Sequence, residues 1–195
     1  VIVTGASRGL GLAICRQLLQ AGYSVLGLAR TQSDELIQLQ QQGLHFYAAD
    51  LSELDKIPTL CSELTKQYGR PYALINNAAV GYDGVLATMH NTEINSLLNL
   101  NIQAPILLSK YLLRPMLLNQ SGRIVNISSI IARTGFNGLS VYAASKAALE
   151  GFSKSLAREV GKAGITVNCV APGYMQTEMT QSLQGDKLES IKRRS

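Results

Sequence analysis

The 195-residue chain has no tryptophan, three phenylalanines, two histidines, three cysteines and five prolines. Charged residues are sparse as well, at 16% against 46% hydrophobic, a balance that excludes a disordered chain. The 17 glycines follow no three-residue period, which excludes a collagen-like repeat. Cys15, Cys61 and Cys169 are odd in number, far apart and flanked by apolar residues, so they make no disulfide scaffold. No CxxC pair exists and His45 and His90 stand alone, so no metal site is expected; the thiols read as buried and reduced, in an intracellular protein. No apolar stretch approaches the roughly 20 residues of a membrane-spanning helix, and no membrane contact is expected. Lys and Arg outnumber Asp and Glu by 18 to 13, giving net charge +5. Much of that surplus sits in Lys187, Lys192, Arg193 and Arg194, which excludes a broad nucleic-acid face and leaves open a basic rim for an acidic partner.

The length suits one domain, 1–195. Strand-like runs at 1–3, 24–28, 44–48, 73–75, 123–127 and 165–170 alternate with segments of helical period near 9–21, 33–42, 53–68, 91–118 and 142–161. Gly22 closes the first of these segments, as a helix end requires. The runs are too apolar to alternate cleanly, as in strands covered on both faces. The β-α order therefore predicts an α/β fold with an open, doubly wound parallel sheet between two helical layers. Such sheets bind ligands beyond the carboxyl ends of their strands, so candidate residues are sought just after each run.

After the first run comes Thr4-Gly5-Ala6-Ser7-Arg8-Gly9-Leu10-Gly11, leading into a helix. Glycines let the backbone approach a pyrophosphate while the helix N-terminus offers amides and a positive dipole end. An ordinary glycine-rich turn is the alternative. After the second run, where an acidic residue would bind a ribose 2′-OH, stands Arg30; Arg8 and Arg30 together suit a 2′-phosphate and favour NADP over NAD, unless they are unrelated surface arginines. Asp50-Leu51 and Asn76-Asn77-Ala78-Ala79 follow the third and fourth runs. Asp50 can accept from an adenine amino group and the amides can tie neighbouring loops, though plain turn chemistry also accounts for both.

Ser128-Ser129 ends the fifth run, and Tyr142 and Lys146 lie four apart on one helical face. A phenol has a pKa of about 10. A neighbouring ammonium, together with a cationic nicotinamide, is expected to draw it down, and Ser129 can stabilise charge developing on a substrate oxygen. Otherwise Tyr142 is a half-buried helix residue and Lys146 its solvated neighbour. Pro105 removes the helical partner of the Asn101 carbonyl, which predicts a kink there; the freed carbonyl can hold a water feeding protons to Lys146, or the kink serves packing alone. Pro172-Gly173-Tyr174-Met175-Gln176-Thr177 follows the sixth run. Thr177 is a candidate for the nicotinamide carboxamide, and the polar stretch after it for a lid over the substrate.

In this order and spacing the motifs resemble those of the short-chain dehydrogenase/reductases, a Rossmann-type family, from end to end of the chain. The resemblance implies a catalytic tetrad of Ser129, Tyr142, Lys146 and Asn101, with Tyr142 as general acid/base, Lys146 lowering its pKa and holding the nicotinamide ribose, Ser129 polarising the carbonyl and Asn101 anchoring the relay water. It implies an NADP(H) site of Gly5, Ser7, Arg8, Gly9, Leu10, Gly11, Arg30, Asp50, Leu51, Asn77, Ala78, Tyr142, Lys146, Pro172, Gly173 and Thr177. Segments 122–129, 151–160 and 164–180 are most similar to the 3-oxoacyl-[acyl-carrier-protein] reductases, implying reduction of a carrier-linked 3-oxoacyl thioester in fatty-acid synthesis. Alternatives are a carbonyl reductase or alcohol dehydrogenase acting on a free small molecule, and a non-catalytic NADP-binding subunit. Arg123 matches a carrier-docking position of such reductases, whose companion position holds Ala163 beside Lys162. A homotetramer, in the cytoplasm or the mitochondrial matrix, is implied as well. Two departures stand out. Ala79 replaces the glycine usual in NNAG, adding a methyl close to the cofactor. The sequence reaches Arg193-Arg194-Ser195 ahead of the family's final helix and strand, and that strand would extend the sheet beside 165–170.

Overall fold

The computed structural model describes residues 1–175. Within them a six-stranded parallel sheet runs in the order β3-β2-β1-β4-β5-β6, with β1 Ile2–Thr4, β2 Leu26–Ala29, β3 His45–Ala48, β4 Ala73–Asn76, β5 Gly122–Ile127 and β6 Ile165–Val170. The expected doubly wound sheet is present, and its winding reverses between β1 and β4.

Alternation along the strands divides the core. Ile2, Leu28, Leu74 and Ile124 point to one face, against α3 (Ile57–Tyr68), α5 (Ala104–Leu118) and α7 (Ser140–Val160). Val3 and Val25 point to the other, against α1 (Gly9–Gln20) and α2 (Asp34–Gln41). Cys15 and Cys61 are buried, one on each side, whereas Cys169 is only half-buried. No helix among the described residues is long and apolar enough to cross a membrane.

α1 ends as its sequence predicts. Gly22 takes φ +82, its amide donates to the Leu19 carbonyl and the Tyr23 amide to Leu18, the paired bonds of a glycine-terminated helix. The segment predicted as one helix over 91–118 is instead three pieces: α4 (Asn91–Leu98), a π-helical turn at Asn99–Gln103, and α5. The irregularity expected at Pro105 is therefore an expanded turn that carries Asn101, fully buried, at its centre. A short helix, α6 (Ile131–Thr134), was not legible in the sequence.

Beneath the strand ends lies a buried polar network. Asn76 donates to Asn126 across β4 and β5 at 2.8 Å and to Ser109 of α5 at 3.3 Å, and Asn126 donates to Ser153 of α7 at 2.9 Å. These bonds join both central strands to both helices directly under the site.

Candidate active site

A cleft of about 760 Å³ opens at the carboxyl ends of the strands, across the point where the winding reverses. Gly5, Ser7, Arg8, Gly9 and Leu10 form one wall, with Arg30, Asp50 and Leu51 at the same end. Gly5 and Gly9 have φ +66 and +54, a backbone conformation that side-chained residues rarely adopt. No side chain caps α1 and no acid lies in its first turn, so its N-terminal amides and dipole face the cleft. The loop is braced from two directions. Thr4 Oγ1 accepts from the amides of Asn77 and Ala78, both at 2.9 Å, and Asn77 Nδ2 donates to the carbonyls of Thr4 and Gly5 at 2.9 and 3.3 Å. Ser33, which caps α2, donates to the Ser7 carbonyl at 2.6 Å. Asp50 is held below the usual carboxylate range first by its hydrogen bond from Ser52 and, further down, by Arg30 nearby.

The other end of the cleft carries Ser129, Tyr142 and Lys146. Lys146 is 3% exposed, its ammonium lies 5.5 Å from the Tyr142 ring centre, and it donates to the Ile127 carbonyl at 2.9 Å. Burial pulls its pKa down to about 8 from an ordinary 10.5. The phenol differs from what the sequence predicts: burial raises its pKa, and the hydrogen bond with Ser129 opposes that rise in place of the ammonium. The Lys146 ammonium instead holds a backbone carbonyl.

The lysine has a consequence for stability. Between pH 8 and 10.5 the unfolded chain holds a proton that folded Lys146 releases, so this residue makes stability rise with pH in that window. Urea midpoints at pH 8 and about pH 10 should show wild type gaining on Lys146→Met. A constant difference between the two would contradict the buried ammonium.

Among the implied cofactor residues, Ala78, Pro172 and Gly173 also line the cleft, as does the departing Ala79; Thr177 lies outside the described residues. Gly11 does not line it. A Cβ there would meet the Gly5 carbonyl oxygen at 2.1 Å and Asn77 Nδ2 at 2.6 Å, so Gly11 lets α1 pack against the loop. Asn101 lies behind the wall. Its Nδ2 donates to the Val80 carbonyl at 2.8 Å and to Ser145 at 3.2 Å, while its Oδ1 accepts from the Val80 amide at 2.9 Å. Arg123 is at the opposite, amino end of β5, where its guanidinium holds the carbonyls of Gly122 and Gly164 and stacks near Tyr72. One guanidinium nitrogen is thus engaged in closing the bottom of the sheet.

Thr4 and Ser145 escaped the sequence analysis. Thr4 sits inside a motif whose glycines draw attention first, and Ser145, within YAASK, acts through the Tyr142 carbonyl at 2.7 Å and through Asn101. Tyr82, Ser96, Ile130, Ile131 and Leu139 also line the cleft.

The family model described as short chain dehydrogenase matches residues 1–188. The 3-oxoacyl-[acyl-carrier-protein] reductase of Escherichia coli is 37% identical over 195 residues, covering 97% of this chain and 79% of that protein. Carbonyl reductase family member 4 of Xenopus tropicalis is 40% identical, covering 97% of this chain and 80% of its own length. A metagenomic short-chain oxidoreductase crystallised with NADP superposes with a TM-score of 0.83 at 35% identity, over 90% of this chain and 82% of the other.

Proposed function

The chain belongs to the short-chain dehydrogenase family, and from that premise we propose that it is an NADPH-dependent reductase converting a 3-oxoacyl thioester to the 3-hydroxyacyl form. The observation that carries this is the layout of one cleft. The glycine loop, the bare α1 terminus and two arginines lie at one end, and half-buried Tyr142 with buried Lys146 and a serine lies at the other. Gly5, Ser7, Gly9 and Leu10 would hold the pyrophosphate, Arg8 and Arg30 a 2′-phosphate, and Asp50 and Leu51 the adenine. Ala78, Pro172, Gly173 and the Lys146 ammonium would hold the nicotinamide half. When bound, the reduced dinucleotide supplies the hydride that goes to the carbonyl carbon.

The chain's own residues do the rest. Tyr142, protonated through the neutral range because burial raises it, gives its proton to the carbonyl oxygen. Ser129, on the same stretch of the cleft, donates to the same oxygen as charge builds. Lys146 returns a proton towards Tyr142, and its depressed pKa makes that release easy. Asn101 fixes the backbone of Val80 beside Ala79 and holds the expanded turn through which protons are resupplied. Ile130, Ile131 and Leu139 give the substrate end an apolar wall suited to an acyl chain.

NADPH oxidation with an acetoacetyl thioester tests the reading. Turnover should be faster with NADPH than with NADH, and Arg30→Ala should lower the NADPH:NADH ratio of kcat/KM by about 10- to 100-fold, the loss of one charge-assisted contact. A wild-type preference for NADH would overturn the arginine argument. The resemblance to the Xenopus carbonyl reductase favours a second reading, a free carbonyl substrate, for which a free ketone would outrun the carrier-linked thioester. Assembly as a homotetramer through α4–α5 and α7 fits the small exposed residues Ala144, Ala147, Gly151 and Ser155 along α7. Light scattering should then give about four times the 21.0 kDa chain mass.

A further inference from the structure

Ser128, 3% exposed and next to Ser129, directs its hydroxyl at two acceptors on α7: the Lys146 carbonyl at 3.1 Å and Glu150 Oε1 at 3.2 Å. Glu150 follows Tyr142 and Lys146 at the same four-residue spacing and is 9% exposed. Its other oxygen accepts from Arg133 Nε at 3.1 Å, and the Arg133 side chain is 71% exposed. Arg133 lies on α6, only four residues long, whose Ile131 amide donates to Ser129 Oγ at 3.3 Å. Contacts therefore run from the Lys146 backbone through Ser128, Glu150, Arg133 and α6 to Ser129, which lines the same cleft as Tyr142.

Packing alone does not call for this arrangement. A buried carboxylate is no better for stability than an apolar side chain of similar volume, and removing one partner from such a pair is disruptive. What the pair supplies is a fixed position for a short element that its own few backbone bonds hold weakly. α6 is that element, and it bears the wall of the cleft at Ile131 and the amide that orients Ser129.

We infer that Glu150 is a positioning residue: through Ser128 and Arg133 it sets the Ser129 hydroxyl against the Tyr142 hydroxyl, and thereby the rate of carbonyl reduction, without touching substrate or cofactor. The inference rests on the reductase reading above.

The test uses the full chain with NADPH and an acetoacetyl thioester, and separately amide hydrogen exchange of residues 129–134 with neither present. Glu150→Ala should lower kcat by about 10- to 100-fold with the NADPH KM within about twofold, the expected result of misplacing a reacting group by an ångström or less. Arg133→Ala, which removes a side chain that is itself 71% exposed, should lower kcat about 3- to 10-fold, and Arg133→Lys should recover most of it. Exchange at 129–134 should quicken about 10-fold or more in both alanine variants. Unchanged exchange, an NADPH KM that rises as much as kcat falls, or an Arg133→Lys as slow as Arg133→Ala would each overturn the inference. A wild-type chain that reduces no 3-oxoacyl thioester overturns the proposed function instead, and faster exchange in its variants still supports the clamp.

Discussion

Replacing Tyr142 by Phe is expected to lower turnover by about 10²- to 10⁴-fold, the range for losing a positioned general acid. The NADPH dissociation constant should stay within about twofold, since in the proposed mechanism the phenol would meet the reacting oxygen and contribute one group among many to the cofactor wall. Stability should hardly change. The variant removes one hydroxyl from a half-buried ring beside an open cleft, a change of about 1 kcal/mol or less. Stopped-flow NADPH oxidation and a fluorescence titration of NADPH on the same preparation check both halves. Equal losses in turnover and in cofactor affinity would mark Tyr142 as a structural tyrosine and remove the acid from the mechanism. Ser129→Ala should be milder than Tyr142→Phe, because Ser129 assists an oxygen that Tyr142 protonates.

Gly11→Ala is expected to be the most damaging single methyl in the described chain. The added carbon would lie 2.1 Å from the Gly5 carbonyl oxygen, a backbone atom that no side-chain rotation can move aside, and 2.6 Å from Asn77 Nδ2. Relief requires α1 to back away from the loop, at a cost of about 3 kcal/mol, the upper end of ordinary overpacking. For a chain of this size that lowers Tm by roughly 6–12 °C. The same shift breaks the Asn77 brace on Thr4 and Gly5, so NADPH should also bind more weakly. Gly22→Ala is the comparison. It has a positive φ but nothing within 4 Å, and should cost only about 1–2 kcal/mol with no effect on NADPH. If calorimetry gives the two variants the same Tm, the close approach at Gly11 is not what the glycine is for.

Much of this architecture is readable from the residues because a strand covered on both faces must be apolar throughout, and a run such as Leu26–Ala29 has few other uses. Tyr142 and Lys146 are readable as a pair because four residues along a helix is one turn. The parts that are not readable depend on partners distant in the chain. Gly11 looks like a phosphate contact beside its motif, and only its approach to Asn77 shows the packing role. The direction of the Tyr142 shift depends on how deeply the ring is buried, which spacing does not encode. The hold of Arg123 on the Gly164 carbonyl, 41 positions further along, and its place over Tyr72 are likewise not in its spacing. α6 is too short for any periodicity to register, and Glu150, 17 positions further along, anchors it.

The π-helical turn at Asn99–Gln103 has a bearing on insertions and deletions. Each residue advances a regular helix by about 100°, so losing one residue midway along α5 would swing Leu112 and Met116 off the sheet and unmake the core. Within Asn99–Gln103 the surplus residue is already taken up locally, and its loss would leave an ordinary helix with both flanking apolar stripes still in phase. The clasp of Asn101 on Val80 would go with it. A one-residue deletion at this place should therefore yield a chain that folds and still takes up nucleotide but no longer turns over, whereas the same lesion two turns later should yield no folded protein.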